Sequence, residues 1–135
     1  MFKRILVPVD FSEKASSAVD VGCRLATPSH GEVILLHVIE TIENVEFDEL
    51  RTFYNNLEKN AASKLRQLAN QALKGTSVQT ETVYGKRSKS IIEFATKRHV
   101  DLIVLNSHRV QPGSAFPSIS YEVGVLAPCP VLLLK

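Results

Sequence analysis

The sequence predicts an α/β protein, an open doubly wound sheet of five parallel strands with helices on both faces. Three observations carry that expectation. Short β-branched runs alternate with longer stretches of helical period. Runs one, two, four and five are apolar throughout rather than at every second residue, as in strands covered on both faces. The 135 residues, 44% hydrophobic and 22% charged, suit one ordinary globular domain, taken as residues 1–135.

The first run, Ile5 to Val9, leads to Ser12, a good helix N-cap, and then to Ala15, Ala18, Val19, Gly22, Leu25 and Ala26 at helical spacing. These small residues form a face that can lie close to a sheet, and the helix ends near Pro28 and Gly31. Val33 to Ile39 is the second strand. The long helix after it carries Leu50, Phe53, Tyr54, Leu57, Ala61, Leu65, Leu68 and Ala72 on one stripe. Arg51, Glu58, Lys59, Lys64 and Arg66 make its solvated side, and Gly75 stops it. In Val78 to Tyr84 the residues Val78, Thr80, Thr82 and Tyr84 alternate with Gln79, Glu81 and Val83. One wet face places this third strand at an edge. "SKSIIEF" opens the third helix, with Ser90 and Glu93 at capping-box spacing and Ile91, Ile92, Phe94 and Ala95 toward the core. After the fourth strand, Leu102 to Leu105, Pro117 suits the first turn of a helix that carries Ile119, Val123 and Leu126 toward Pro128. Val131 to Leu134 is the last strand.

Doubly wound sheets bind ligands beyond the carboxyl ends of their strands, where the strand order reverses. The candidate segments are therefore Pro8 to Ser12, His37 and Val38, and "LNSHRVQPGSAFPSIS" at residues 105–120. A net charge of +2, from 16 basic and 14 acidic residues with no block of like charge, points to neither a nucleic acid nor a membrane surface as partner. Cys23 and Cys129 are too few and too far apart for a disulfide framework or a zinc site, and read as reduced thiols, Cys129 packed and unreactive. "MFKRILVPVD" enters a strand pattern at once and "EVILLHVI" is too short to span a bilayer, so the expected location is cytoplasmic. His37 reads as a core histidine with a hydrogen-bonded ring; no second ligand lies at metal spacing, and no metal is expected.

Taken together and in order, "ILVPVDFSEKASSAV", "VILLHVIE", "IIEFATKRHVDLIVLNSH" and "APCPVLLLK" resemble the universal stress protein family over nearly the whole chain. The resemblance implies a Rossmann-like sheet of the adenine nucleotide alpha hydrolase type with strand order 3-2-1-4-5, and a stress-response role through protein partners not identified by the sequence. It implies a homodimer built on the last strand through Val131, Leu132, Leu133 and Leu134, an apolar edge that invites pairing. It implies an adenine nucleotide, AMP or ATP, as bound ligand, with no cofactor required.

ATP-binding members carry G-x-x-G-x9-G-[ST] after strand four. Here Asn106, Arg109 and Pro117 stand where the three glycines belong, Ser118 takes the Ser/Thr position, and the stretch between Arg109 and Pro117 is shorter by two residues. Glycine lets backbone approach a phosphate at positive φ. Asn106 is the mildest loss, since asparagine tolerates the left-handed region. Arg109 either fills the phosphate space or supplies charge-assisted hydrogen bonds in place of the lost donors. Pro117 removes one N–H from the helix start. One or two lost hydrogen bonds at about 0.5–1.5 kcal/mol each weaken binding roughly ten- to a hundredfold. The base half is better kept: Pro8, Val9 and Asp10 follow strand one, Asp10 placed to accept from an adenine amino group and the Val38 backbone to read the ring edge. Leu105, Asn106, His108, Arg109, Ser118 and Ile119 complete the nucleotide-binding set that the resemblance implies.

Asp10 equally suits a structural turn, and the serines near His108 suit a solvated loop. His108 is the best proton carrier, but the loop has no lysine, no G-x-S-x-G elbow and no orienting carboxylate, so no catalytic residue is assigned and no enzyme is expected. Beside the weak or vestigial AMP-like site stand a ligand-free interaction protein of the same fold and an ATP hydrolase. A receiver domain would need an Asp closing strand three, where Tyr84 and Gly85 stand. Arg109→Gly separates the two roles of Arg109: weaker nucleotide binding in calorimetry identifies it as a substitute donor and stronger binding as an obstruction, whereas an unchanged dissociation constant rejects both.

Overall fold

The computed structural model describes residues 1–107 and 118–135. The elements run β1 (Arg4–Pro8), α1 (Ala15–Ala26), β2 (Glu32–Ile39), α2 (Arg51–Asn70), β3 (Ser77–Tyr84), α3 (Arg87–Lys97), β4 (Leu102–Asn106), α4 (Ile119–Leu126) and β5 (Val131–Leu134). Short 3-10 turns at Thr27–Ser29 and Phe47–Leu50 lead into β2 and α2. Every pairing is parallel, and the strands lie in the expected order β3-β2-β1-β4-β5, with β3 at an edge.

The continuous apolar runs are explained by two cores. Ile5 and Val7 of β1, Val33 and Leu35 of β2, and Leu102 and Val104 of β4 face α1 and α2. Leu6, Ile34, Leu36, Val38, Ile103 and Leu105 face the other way, against Ile91 and Ala95 of α3 and Val123 of α4. Each fully buried aliphatic side chain contributes about 1.5–3 kcal/mol relative to exposure, so the three central strands dominate the stability. Gly22 shows how closely α1 lies on them: a Cβ there would sit 2.9 Å from a methyl of Val7.

Several local expectations fail. Ser12 does not cap α1; Lys14 occupies the N-cap without a side-chain bond. Asp10 Oδ1 instead accepts the Ser12 N–H at 3.0 Å, and Phe11 takes φ 62°, so the chain turns before the helix can start. The Ser12 hydroxyl is buried with no partner among the described residues. Ser90 and Glu93 form no capping box, because α3 begins one turn earlier at Arg87, behind Gly85 at φ 148°. Only glycine fits that turn: a Cβ would lie 2.6 Å from Ser90 Oγ. On α3, Ile91 and Ala95 are buried while Ile92 and Phe94 are only partly covered. On α2 the inward ring is Tyr54, stacked on Phe47 at 4.8 Å between centroids, which leaves Phe53 47% exposed. Leu126, in the last turn of α4, is 62% exposed because that helix meets the core through Val123. The run in β5 is not covered on both faces either: this edge strand has β4 as its one neighbour, and Leu132 and Leu133 are 37% and 40% exposed. Pro117 lies outside the described residues. Among the described residues no helix is long and apolar enough to cross a membrane.

The contact at Gly22 predicts that Gly22→Leu, which forces several atoms between α1 and Val7, lowers the free energy of unfolding by about 1–3 kcal/mol or more in urea titration. A loss below about 0.5 kcal/mol, the scale of an ordinary surface substitution, would show that the helix is free to shift away.

Candidate functional site

The cleft arises where two pairings of β1 end at different places. β1 runs along β2 from Arg4 opposite Glu32 to Pro8 opposite Leu36, and the Val9 N–H extends the ladder to the Leu36 carbonyl at 2.8 Å. Its pairing with β4 is confined to Ile5 with Leu102 and Leu6 with Ile103. Beyond Leu6 the chain stays with β2 and parts from β4, at the point where the strand order reverses.

Pro8, Val9, Asp10, Val38, Leu105, Asn106 and Ile119 all line the resulting cleft, so most of the residues singled out in the sequence converge there. Leu36, Arg87, Ile91 and Ser120 also line it and were missed. Leu36 and Ile91 look like ordinary core residues in the sequence. Arg87 carried a usable signal, since it opens a helix just beyond the carboxyl end of a strand. The walls are largely aliphatic, and the polar groups are few: the Asp10 carboxyl, the Arg87 guanidinium, the Asn106 amide and the Ser120 hydroxyl. The space between atoms is about 460 Å³ including the mouth, yet water centres can occupy only about 40 Å³ of it. The cleft is therefore narrow, suited to a flat apolar body held by a few polar contacts.

Other expected donors are engaged elsewhere. Asn106 ends β4 in extended backbone, so the left-handed tolerance of asparagine is not used, and its Nδ2 donates to the Lys14 carbonyl at 2.9 Å. Ser107 turns both its N–H (2.8 Å) and its hydroxyl (3.0 Å) to the Leu134 carbonyl on β5. Ser118 caps α4, its Oγ accepting the Tyr121 N–H at 3.2 Å, and it is not among the residues lining the cleft. The Ser88 hydroxyl donates to Glu122 at 2.6 Å, tying the first turns of α3 and α4 together beside the cleft. His108 and Arg109 lie outside the described residues.

His37 stands beside the cleft and closes the β1 turn. Its Nδ1–H donates to the Val9 carbonyl at 2.8 Å, which fixes the neutral tautomer, and its ring lies 4.3 Å from that of Phe11. Burial lowers its pKa, the bond to Val9 opposes this, and the charges of Arg87 and Lys64 lower it further while Asp10 raises it. The ring is hydrogen-bonded as the sequence suggested, but it is half-buried rather than in the core. Cys129 is likewise half-buried against the α3–α4 core, where burial pushes its thiol pKa up. Because the unfolded chain binds a proton at His37 near pH 6.5 and the folded protein does so only at lower pH, stability contributed by the neutral ring is complete above about 6.5 and is lost as pH falls toward the folded value. Unfolding titrations between these limits are expected to show this loss in the native sequence and a shallower slope in His37→Asn, whose amide can still donate to Val9; equal slopes would contradict the assignment.

The model of the universal stress protein family matches residues 1–135. Universal stress protein YxiE of Bacillus subtilis is 28% identical, the match spanning 100% of both chains. The solved structure of hypothetical protein MJ0577, whose name is shared by a universal stress protein of Methanocaldococcus jannaschii, superposes with a TM-score of 0.81 at 29% identity, over 100% of this chain and 96% of that one. A universal stress protein of Archaeoglobus fulgidus solved in complex with dAMP shares the fold, with a TM-score of 0.70 at 16% identity over 99% and 98% of the two chains. The parallel five-stranded order, the cleft at its reversal point and a family match from the first residue to the last agree: the chain belongs to the universal stress protein family.

Proposed function

We propose that residues 1–135 form a single non-enzymatic stress-response domain that holds an adenine mononucleotide of AMP type in the cleft between β1 and β4, and that acts in the cytoplasm as a homodimer. The observation that carries this reading is the narrow aliphatic slot between Pro8–Asp10, Val38, Leu105 and Ile119, which suits a planar base far better than a polyphosphate. A relative of the same fold takes dAMP. Asp10 offers an acceptor for an amino group on the base, and the Val38 backbone stands at the opposite edge. The phosphate of such a ligand points toward residues 106–118, where Asn106, Arg109 and Pro117 replace the three glycines of ATP-binding members. Among the described residues, Asn106 and Ser107 are engaged by Lys14 and Leu134, which takes two donors from the phosphate end. Free thiols at Cys23 and Cys129 suit a reducing compartment.

AMP at about one hundred times its dissociation constant adds roughly 2.7 kcal/mol to the stability of a protein that binds it only when folded. The expected outcome is a rise in melting temperature with AMP, a rise with ATP no larger, and ATP left intact over hours. No shift at millimolar AMP would favour the ligand-free interaction protein, and ATP turnover would favour the hydrolase.

Among the described residues the outer edge of β5 has no strand partner, and Leu132 and Leu133 are exposed there, which supports dimerisation. Leu133→Lys is expected to shift the protein from dimer to monomer in sedimentation equilibrium with little change in secondary structure. A native sequence that sediments as a monomer would contradict the proposal.

A further inference from the structure

A second cavity opens above the C-terminal end of β2 and shares Val38 and Arg87 with the cleft. Water centres can occupy about 280 Å³ of it, against about 40 Å³ in the cleft, so it is a roomy space rather than a slot. Phe11, His37, Glu40, Asn60, Lys64 and Arg87 give it its character.

Its two cations are poorly neutralised. Lys64 Nζ lies 5.2 Å above the Phe11 ring, and among the described residues it makes no ion pair. Arg87 Nε is 3.8 Å from Glu40 Oε1, at the limit of an ion pair, and the Glu40 side chain is 56% exposed. Such a contact is worth little in water. Counting Glu40, the cavity keeps one net positive charge, and His37 feels it, since both cations hold its pKa down. Phe11, which carries Lys64 on one ring contact and meets His37 on another, is fixed in the left-handed region at φ 62°. A bulky residue holds that conformation only where surrounding structure enforces it.

We propose that this cavity is a subsite for a phosphoryl anion, received by Lys64 and Arg87 with the Asn60 amide as a further donor. It goes beyond the mononucleotide reading. The phosphate of a base seated in the cleft is expected beside Asn106 at the end of β4, whereas Lys64 belongs only to the second cavity and Arg87 stands between the two. The anion is therefore a second one, either a free phosphate species or another phosphoryl group of the molecule in the cleft, reaching past Arg87. Charge-assisted bonds to phosphate oxygens are the strong class of hydrogen bond, and removing either cation loses at least one of them.

The test is a titration of the full chain with inorganic phosphate at constant ionic strength, followed by NMR at the Phe11 and His37 rings and the Lys64 side chain, with and without saturating AMP. Saturable shifts at these groups are expected, with Lys64→Gln and Arg87→Gln each weakening phosphate binding about tenfold or more. Unchanged phosphate affinity in the presence of AMP is expected of a second anion, and competition by ADP but not by AMP identifies it as a further phosphoryl group of the cleft's own ligand. Competition by AMP itself would place its one phosphate in this cavity and overturn the second subsite. Shifts that never saturate, or that survive both substitutions, overturn it. AMP binding with no phosphate response removes this inference and leaves the mononucleotide reading standing, and phosphate binding without AMP binding does the reverse.

Discussion

Val9 is held at both of its backbone polar groups, its N–H by the carbonyl of Leu36 and its carbonyl by the Nδ1–H of His37. The rest of the site depends on that clamp. It keeps the exit of β1 against β2 after the pairing with β4 has ended at Leu6, and so holds open the gap into which Leu105 and Ile119 face. Buried backbone groups must find partners, and had Val9 turned to β4 for them, the ladder would have closed over the slot. On the other side, the Asn106 amide bound to the Lys14 carbonyl anchors the end of β4 to the approach of α1. The cleft is thus a consequence of where two hydrogen-bond ladders stop, and it does not require a ligand to shape it.

Two spaces of different character adjoin at Arg87. The slot between β1 and β4 is aliphatic and narrow, so it discriminates by shape and desolvation, with a carboxyl, a guanidinium, an amide and a hydroxyl to set orientation. The space above β2 is wider and positive. Arg87 belongs to both, and its long contact with Glu40 leaves its guanidinium weakly committed. Under the proposed reading, such a site gains affinity from a flat body in the slot and from charge in the wider space.

Much of the sheet was legible because burial on both faces leaves a plain signature. In Ile5–Val7 and Val33–Leu36 every residue is apolar because successive side chains enter opposite cores. The alternation in β3 likewise marked an edge. The other edge was hidden: Val131–Leu134 reads like a central strand, and nothing local in four apolar residues distinguishes a covered strand from an uncovered one. Helix starts were the least legible. Ser12 and Ser90 have the right chemistry for caps, but the turns that begin α1 and α3 are set by the backbone of Phe11 and Gly85, and the Asp10 carboxylate takes the Ser12 N–H first. For the site, the rule that ligands gather beyond the carboxyl ends of strands found Pro8–Asp10, Val38 and Asn106. It did not reveal that the polar groups of Asn106, Ser107 and Ser118 would be engaged by Lys14, Leu134 and Tyr121, since those bonds join distant parts of the chain or depend on where α4 starts.

The clearest measurement is an isotope-filtered NOE spectrum of AMP with protein labelled at its Ile, Leu and Val methyl groups. Contacts from the adenine H2 and H8 protons to the methyls of Leu36, Val38, Ile91, Leu105 and Ile119 are expected, because these line the slot left where β1 parts from β4. Contacts confined to methyls elsewhere, or none at saturating AMP, would contradict a base-sized cleft at that place.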